Sequence, residues 1–314
     1  MKLAILGAGG VGCYYGAKLL EAGCEISFVA RGAHLTALQT KVLCVTHPSF
    51  SFSKKVKACD TEQLWKDDAS LYDGIIVLTK SMETLGLAKA LKLWATKNNG
   101  VLPFCISLQN GVENESILAE HIGAKKVIGG LTRKIGAHII EPGCVDAVGP
   151  AETILGAWSS DANALLFTER FATLLNTAGI PSRVTPYIQK ELWMKLVINN
   201  GVNALCALLR VKTGIVMQHP KLFPLVQGLM HETAQAARAL HVKISTQDVE
   251  EMFALIKGFD SIKPSMLVDL EHDRRLEIEE ICGVVIRTLK SKGLDAPYTK
   301  TIASLLEYTL EEKL

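Results

Sequence analysis

The hexapeptide Gly7-Ala8-Gly9-Gly10-Val11-Gly12 limits the possible folds of this chain more than any other stretch. It follows a short apolar run, KLAIL at 2–6. It opens a segment, 10–22, whose apolar residues Val11, Tyr14, Tyr15 and Leu19 recur at helical spacing. A second strand-like run, CEISFVA at 24–30, comes next. Strand, glycine turn, helix and returning strand make a βαβ unit, and G-x-G-x-x-G in that setting is a dinucleotide-binding fingerprint. The first glycine permits the tight turn, the second lets a pyrophosphate approach the backbone, and the third lets helix and strand pack closely. Unpaired N–H groups and the positive end of the helix hold the phosphates. The predicted cofactor loop is therefore Gly7, Ala8, Gly9, Gly10, Val11 and Gly12.

The second strand ends at Ala30-Arg31-Gly32, where an NAD-selective site carries Asp or Glu for the ribose 2′-hydroxyl. No carboxylate occurs between Glu25 and Asp60. A guanidinium at this point suits a 2′-phosphate through charge-assisted hydrogen bonds, so Arg31 predicts NADP(H).

Strand and helix patterns continue to alternate. GIIVLT (74–79), FCISL (104–108), KVIGGL (126–131) and IPSRVT (180–185) read as strands. Helical patterns fall at 83–97, 112–122 and 163–178, and residues 135–156 suggest short strands or a hairpin. After Pro186 helical periodicity takes over, at 187–210, 219–241, 246–257, 273–292 and 297–312. The expected architecture is α/β: a Rossmann-type doubly wound sheet over 1–185, then an all-helical domain over 186–314. Without a linker of biased composition the two are expected to pack closely around a cleft, where ligand sites tend to lie.

Composition narrows the function. Of 314 residues, 34 are basic and 32 acidic, a net charge of +2 that suggests neither nucleic acid nor an anionic membrane as partner. Eight cysteines are scattered without a C-x-x-C pair, and the eight histidines lack ligand spacing. Free thiols and no metal site are the expectation. The N-terminal run is too short for a leader, and no stretch is expected to reach the roughly 18–20 apolar residues of a spanning helix. A cytoplasmic location follows as an expectation.

Lys195, Asn199 and Asn203 sit four apart in the apolar stretch KELWMKLVINNGVNALCALLR, which puts them on one helix face. They form either a solvated stripe or a site for a polar small molecule, since a buried ammonium needs partners. Lys80 and Asn110 end strand-like runs, where ligands gather in open α/β sheets, but Asn110-Gly111 is also ordinary turn chemistry. Ser265, after a proline, reads alone as a helix cap, and Glu277, among charges, as a solvated helix residue.

Taken together these segments resemble the ketopantoate reductase (2-dehydropantoate 2-reductase) family nearly end to end. The matching motifs are GAGGVG (7–12), VARGAHL (29–35), TKS (79–81), QNG (109–111), VIGG (127–130), EPG (141–143), LWMKLVINNGVNAL (192–205) and SMLVDLEHDRRLEIEEICG (265–283). The resemblance implies that the glycine loop and Arg31 hold NADP(H), with Lys80 and Asn110 near the nicotinamide and Asn110 also near the substrate. It implies that Lys195 is the general acid, that Asn199, Asn203 and Ser265 bind substrate, and that Glu277 completes the catalytic cluster. The implied reaction is NADPH-dependent reduction of ketopantoate to pantoate in pantothenate biosynthesis, by a monomer or homodimer. The chain departs from the family's usual pattern at Lys41 and Ile262, and it carries Gly201 inside the catalytic helix. The family also includes paralogues with other substrates. Another branched 2-oxo acid is thus the alternative substrate. A non-catalytic NADPH-binding regulator is a third reading, but it gives no reason to keep Lys195, Asn203, Ser265 and Glu277 together.

Overall fold

The computed structural model describes residues 1–258 and 262–311. The chain divides into two compact units, one of Met1–Gln109 and Glu113–Ile188, the other of Asn110–Val112 and Gln189–Leu314.

The first unit begins with β1 (Lys2–Leu6), α1 (Gly10–Glu21), β2 (Glu25–Val29), α2 (Gly32–Thr40), β3 (Leu43–His47), β4 (Phe50–Lys54), β5 (Lys57–Cys59) and α3 (Thr61–Leu64). It continues with β6 (Gly74–Val77), α4 (Thr84–Lys97), β7 (Phe104–Ser107), α5 (Asn114–Ile122), β8 (Val127–Arg133), β9 (Gly136–Glu141), β10 (Cys144–Val148), β11 (Glu152–Ala157), α6 (Ala162–Thr177) and β12 (Ser182–Val184). Eight strands form one Rossmann-like sheet in the order β12-β11-β8-β7-β6-β1-β2-β5. All neighbours are parallel except β8 and β11.

Both faces of the sheet are buried, as a parallel sheet demands. Successive side chains of β1 point to opposite layers. Leu3 and Ile5 join Tyr14, Phe28 and Phe171 on one side, while Ala4 and Leu6 join Leu91 and Trp94 on the other. β1 lies between β2 and β6, so the chain leaves it in both directions across the sheet. That is a topological switch point, and the glycine loop sits at its carboxyl end.

A second sheet, β4-β3-β10-β9, packs Val45, Phe52, Val145 and Ala147 into the cluster around α1. The pattern at 135–156 resolves into β9, β10 and β11. Strands β4 and β5 go beyond the sequence expectation. β3 pairs in parallel with β10, a hundred residues downstream, and no local pattern announces such a pairing.

The second unit holds α7 (Ile188–Leu209), α8 (Thr213–Gln218), α9 (Phe223–Ala239), α10 (Thr246–Lys257), α11 (Ser265–Glu271), α12 (Val284–Ser291) and α13 (Pro297–Glu311). The end of the expected last helix, residue 312, lies outside the described residues. Two expectations need correction. Residues 273–292 are not one helix: α11 closes at Glu271, Asp273 turns the chain with a φ of 51°, and a π-helical turn over Glu279–Gly283 leads into α12. The Arg274 N–H donates to the Asp269 carbonyl at 2.9 Å and its guanidinium pairs with the Asp269 carboxylate, which fixes the break. Second, α7 does reach the length and apolarity of a spanning segment, with 22 residues, but 72% of that window is buried inside the protein. It is a core helix.

Gly201 in α7 looked like a weak point, yet a Cβ there would lie 2.7 Å from Met230 Cγ, so the glycine admits α9 at close range. Next to it, fully buried Asn200 donates to the hydroxyls of Thr233 at 2.9 Å and Thr299 at 3.1 Å. The Thr299 hydroxyl donates to Glu232, which also accepts the N–H groups of Tyr298 and Thr299 at the start of α13. This chain of hydrogen bonds ties α7, α9 and α13 together and fixes how α7 is turned about its axis.

Candidate active site

The glycine loop has the geometry its sequence requires. Gly7 adopts a φ of 94°, and a Cβ there would meet the Thr79 backbone nitrogen at 2.6 Å. A Cβ on Gly12 would lie 2.3 Å from the Gly7 carbonyl oxygen, so the third glycine does allow helix against strand. Around Gly9 nothing of the protein lies within 4 Å of a built Cβ, which leaves open space for a phosphate against the backbone. The N–H groups of Gly7 and Ala8 are engaged by the Val29 carbonyl at 3.3 and 3.0 Å. The donors left for an anion are therefore those of the first turn of α1, around Gly9, Gly10, Val11 and Gly12, which have no intrahelical acceptor. No side chain caps this helix and no acidic residue occupies its first turn, so its positive end is uncompensated. The loop fits a dinucleotide pyrophosphate.

Arg31 is the N-cap residue of α2, two positions beyond β2, with its side chain 92% exposed. Its ion pair with Glu83 is long at 3.9 Å and solvated, so it costs little to exchange for a phosphate. Lys80 stands half-buried after β6, at the turn Thr79-Lys80-Ser81. Gln109 organises that turn. Its amide donates to the Thr79 carbonyl at 3.1 Å and to the Thr84 hydroxyl at 2.9 Å, and Thr84 in turn donates to Asn114. Sequence reasoning passed over Gln109, although it begins the tripeptide that contains Asn110. Its only distinguishing mark is near-complete burial, which the sequence alone does not display.

In the second unit, α7 carries Lys195 and Asn199 half-buried and Asn203 almost wholly buried. Lys195 is half-buried as a residue, with its charged end desolvated. Burial lowers its pKa from 10.5 to about 8, and the negative charge of Glu277 opposes that fall. Glu277 is only 4% exposed and lies just before the turn that enters α12. The reading of Glu277 as a solvated helix residue is thus corrected, and the cause is the break at Asp273. Asn110, whose segment groups with this unit, donates from Nδ2 to Glu277 Oε2 at 3.3 Å. Lys195, Glu277 and Asn110, which are far apart in sequence, therefore form one cluster: a partly neutralised ammonium, a buried carboxylate and a carboxamide.

Ser265 is the first residue of α11, exposed, with Pro264 in the cap position and no side-chain capping bond. It therefore does not cap the helix as its sequence setting suggested, and among the described residues its hydroxyl makes no hydrogen bond to the Lys195 cluster. Among the described residues no group of three or more His, Cys, Asp or Glu side chains is placed to hold a metal ion.

An ammonium with a pKa near neutrality can both stabilise a growing oxyanion and release a proton to it. Comparison with known proteins points to one family. The model of the family described as "Ketopantoate reductase PanE/ApbA" matches residues 3–160, and that of its C-terminal domain matches residues 187–309. The 2-dehydropantoate 2-reductase of Archaeoglobus fulgidus is 32% identical over 305 residues, 97% of this chain and 96% of that protein. The crystal structure of 2-dehydropantoate 2-reductase from Geobacter metallireducens superposes with a TM-score of 0.86 at 28% identity, over 98% of this chain and 100% of that one. A D-mandelate dehydrogenase, in a ternary structure with NADH and anilino(oxo)acetate, superposes at 0.88 with 23% identity, over 99% of both chains.

Proposed function

The chain belongs to the ketopantoate reductase family, and on that premise we propose that it reduces ketopantoate to pantoate with NADPH, Lys195 acting as the general acid. Oxidoreductase action on a 2-oxo acid with a nicotinamide cofactor is the family's common ground. The specific substrate, the phosphorylated cofactor, the catalytic roles and a place in pantothenate biosynthesis are our reading.

The observation that carries it is the desolvated ammonium of Lys195 beside buried Glu277, which Asn110 holds by a hydrogen bond. When bound, the reduced nicotinamide supplies hydride to the ketone carbon. As that carbon turns tetrahedral, negative charge collects on the carbonyl oxygen. Lys195 donates its proton there, and the low dielectric around it makes the interaction stronger than in water. Glu277 keeps the lysine charged against the cost of burial and aims it. Asn199, Asn203 and Ser265 supply hydrogen-bonding groups for the substrate carboxylate and hydroxyl. Gly9 to Gly12 hold the pyrophosphate, Arg31 the 2′-phosphate, and Lys80 and Asn110 the nicotinamide end.

A second reading keeps the machinery and changes the acid. The D-mandelate dehydrogenase shares the fold as fully as the ketopantoate reductases do, so the fold does not select the side chain of the 2-oxo acid. Both readings are tested by following oxidation of NADPH and NADH with ketopantoate, other branched 2-oxo acids and an aryl 2-oxo acid. We expect kcat/KM for ketopantoate with NADPH to exceed every other pair by at least tenfold. A preference for another acid would replace the substrate, and a preference for NADH would remove the role of Arg31.

A further inference from the structure

All eight cysteines are free, and six are buried. The two that keep exposed surface, Cys44 and Cys144, are a hundred residues apart in sequence and are register partners on the parallel strands β3 and β10. They belong to a row across the second sheet. Ser53 on β4 is the partner of Cys44, and Glu141 on β9 is the partner of Cys144. The adjacent row, with Val45, Phe52 and Val145, is buried against α1. Strand alternation therefore turns the cysteine row to the opposite face.

The Cys144 thiol is within hydrogen-bonding reach of Cys44, whose Sγ lies 3.7 Å from Ser53 Oγ. Neighbouring strands run about 4.7–4.9 Å apart. Directly paired residues thus fall inside the Cα separation of about 4.4–6.8 Å that a disulfide spans. Two partly exposed thiols thus meet on one face of the sheet, at a Cα separation that a disulfide can span.

We propose that Cys44 and Cys144 are an oxidation site, a dithiol that a peroxide closes reversibly into an intramolecular disulfide. The Cys44 thiolate attacks a peroxide oxygen; the S–O bond forms, the O–O bond breaks, and one water leaves once the departing hydroxide is protonated. Cys144 then attacks the resulting sulfenic sulfur, the S–S bond forms, the S–O bond breaks, and a second water leaves. In sum, two thiols give up two electrons and two protons, and hydrogen peroxide is reduced to two waters. Burial, the neighbouring Cys44 thiol and Glu141 push the Cys144 thiol up to about 11, which disfavours its thiolate. A covalent tie between β3 and β10 would close a loop of about 100 residues, within the sheet that packs on α1.

The test is peroxide treatment of the native protein, read by intact mass, peptide mapping and thermal unfolding. Closure removes two hydrogens, yields a linked Cys44–Cys144 peptide, raises the Tm by about 5–15 °C, and is undone by dithiothreitol. Cys44→Ser and Cys144→Ser each show no closure and no rise in Tm, while both retain wild-type turnover before treatment. Addition of oxygen to either cysteine without a linked peptide, or a disulfide joining two copies of the chain, would overturn the proposal.

Discussion

Replacing Glu277 by Gln keeps the size and hydrogen-bonding capacity of the side chain and removes its charge. Lys195 titrates at about 8 because burial lowers it from 10.5 and Glu277 holds it up. The effect of burial alone is therefore larger than the net fall. An opposite charge a few ångströms away typically moves a pKa by about 1–3 units, so Lys195 in the variant titrates at about 5–7. At pH 7.5 the protonated fraction of Lys195 falls from about three quarters to about a quarter or less. The assay is kcat/KM for the 2-oxo acid at saturating NADPH across the pH range. A required acid gives a plateau below its pKa and a tenfold fall per unit above it. The wild-type profile should bend near 8, and the Glu277→Gln profile about 1–3 units lower. A variant profile that drops uniformly and bends at the wild-type pH would refute the idea that Glu277 tunes Lys195.

Three more expectations follow from particular residues. Gly9→Ala places a methyl in space free of protein, so unfolding stability should stay within about 0.5 kcal/mol while NADPH affinity falls at least tenfold; titration of cofactor fluorescence separates the two. Arg31→Ala should weaken NADPH by about 10- to 100-fold through loss of charge-assisted bonds and leave NADH affinity unchanged, as read from paired binding titrations. Glu115 is fully buried, and burial raises its pKa from 4.5 to about 7 against the smaller, lowering effect of the Ser107 hydroxyl. The folded protein therefore holds a proton that the unfolded chain releases, and ionising Glu115 costs stability that is absent below 4.5, grows with pH and is complete above 7. Glu115→Gln should accordingly be more stable than wild type by roughly 3 kcal/mol at pH 8 and equal to it at pH 4, by denaturant unfolding at each pH.

The glycine loop was legible because its signal is local: strand, turn and helix are contiguous, and the clash that Gly12 avoids is with Gly7 in the same loop. The second sheet was not, since β3 and β4 join β9 and β10 only through the pairing of β3 with β10, a hundred residues on. Residues 273–292 open on a run of charges and read as one helix. The break depends on Arg274 pairing back to Asp269, after which Glu277 enters the interior. Sequence pattern gives the period of a segment but not which charge finds a partner. The same limit applies to Asn200 and to Gly201, a residue type that weakens helix interiors. Their purpose lies on α9 and α13, where Thr233, Thr299 and Met230 meet them. The row Lys195, Asn199 and Asn203 was visible as a face, but which end of it is dry was not.

The central claim is that the Lys195 ammonium donates the proton in reduction of a 2-oxo acid. Lys195→Ala, assayed with ketopantoate at saturating NADPH, tests it most directly. Turnover should fall by about 10²–10⁴, while NADPH affinity and unfolding stability remain near wild type. Turnover within about threefold of wild type, a loss far short of what general acid catalysis contributes, would contradict the account.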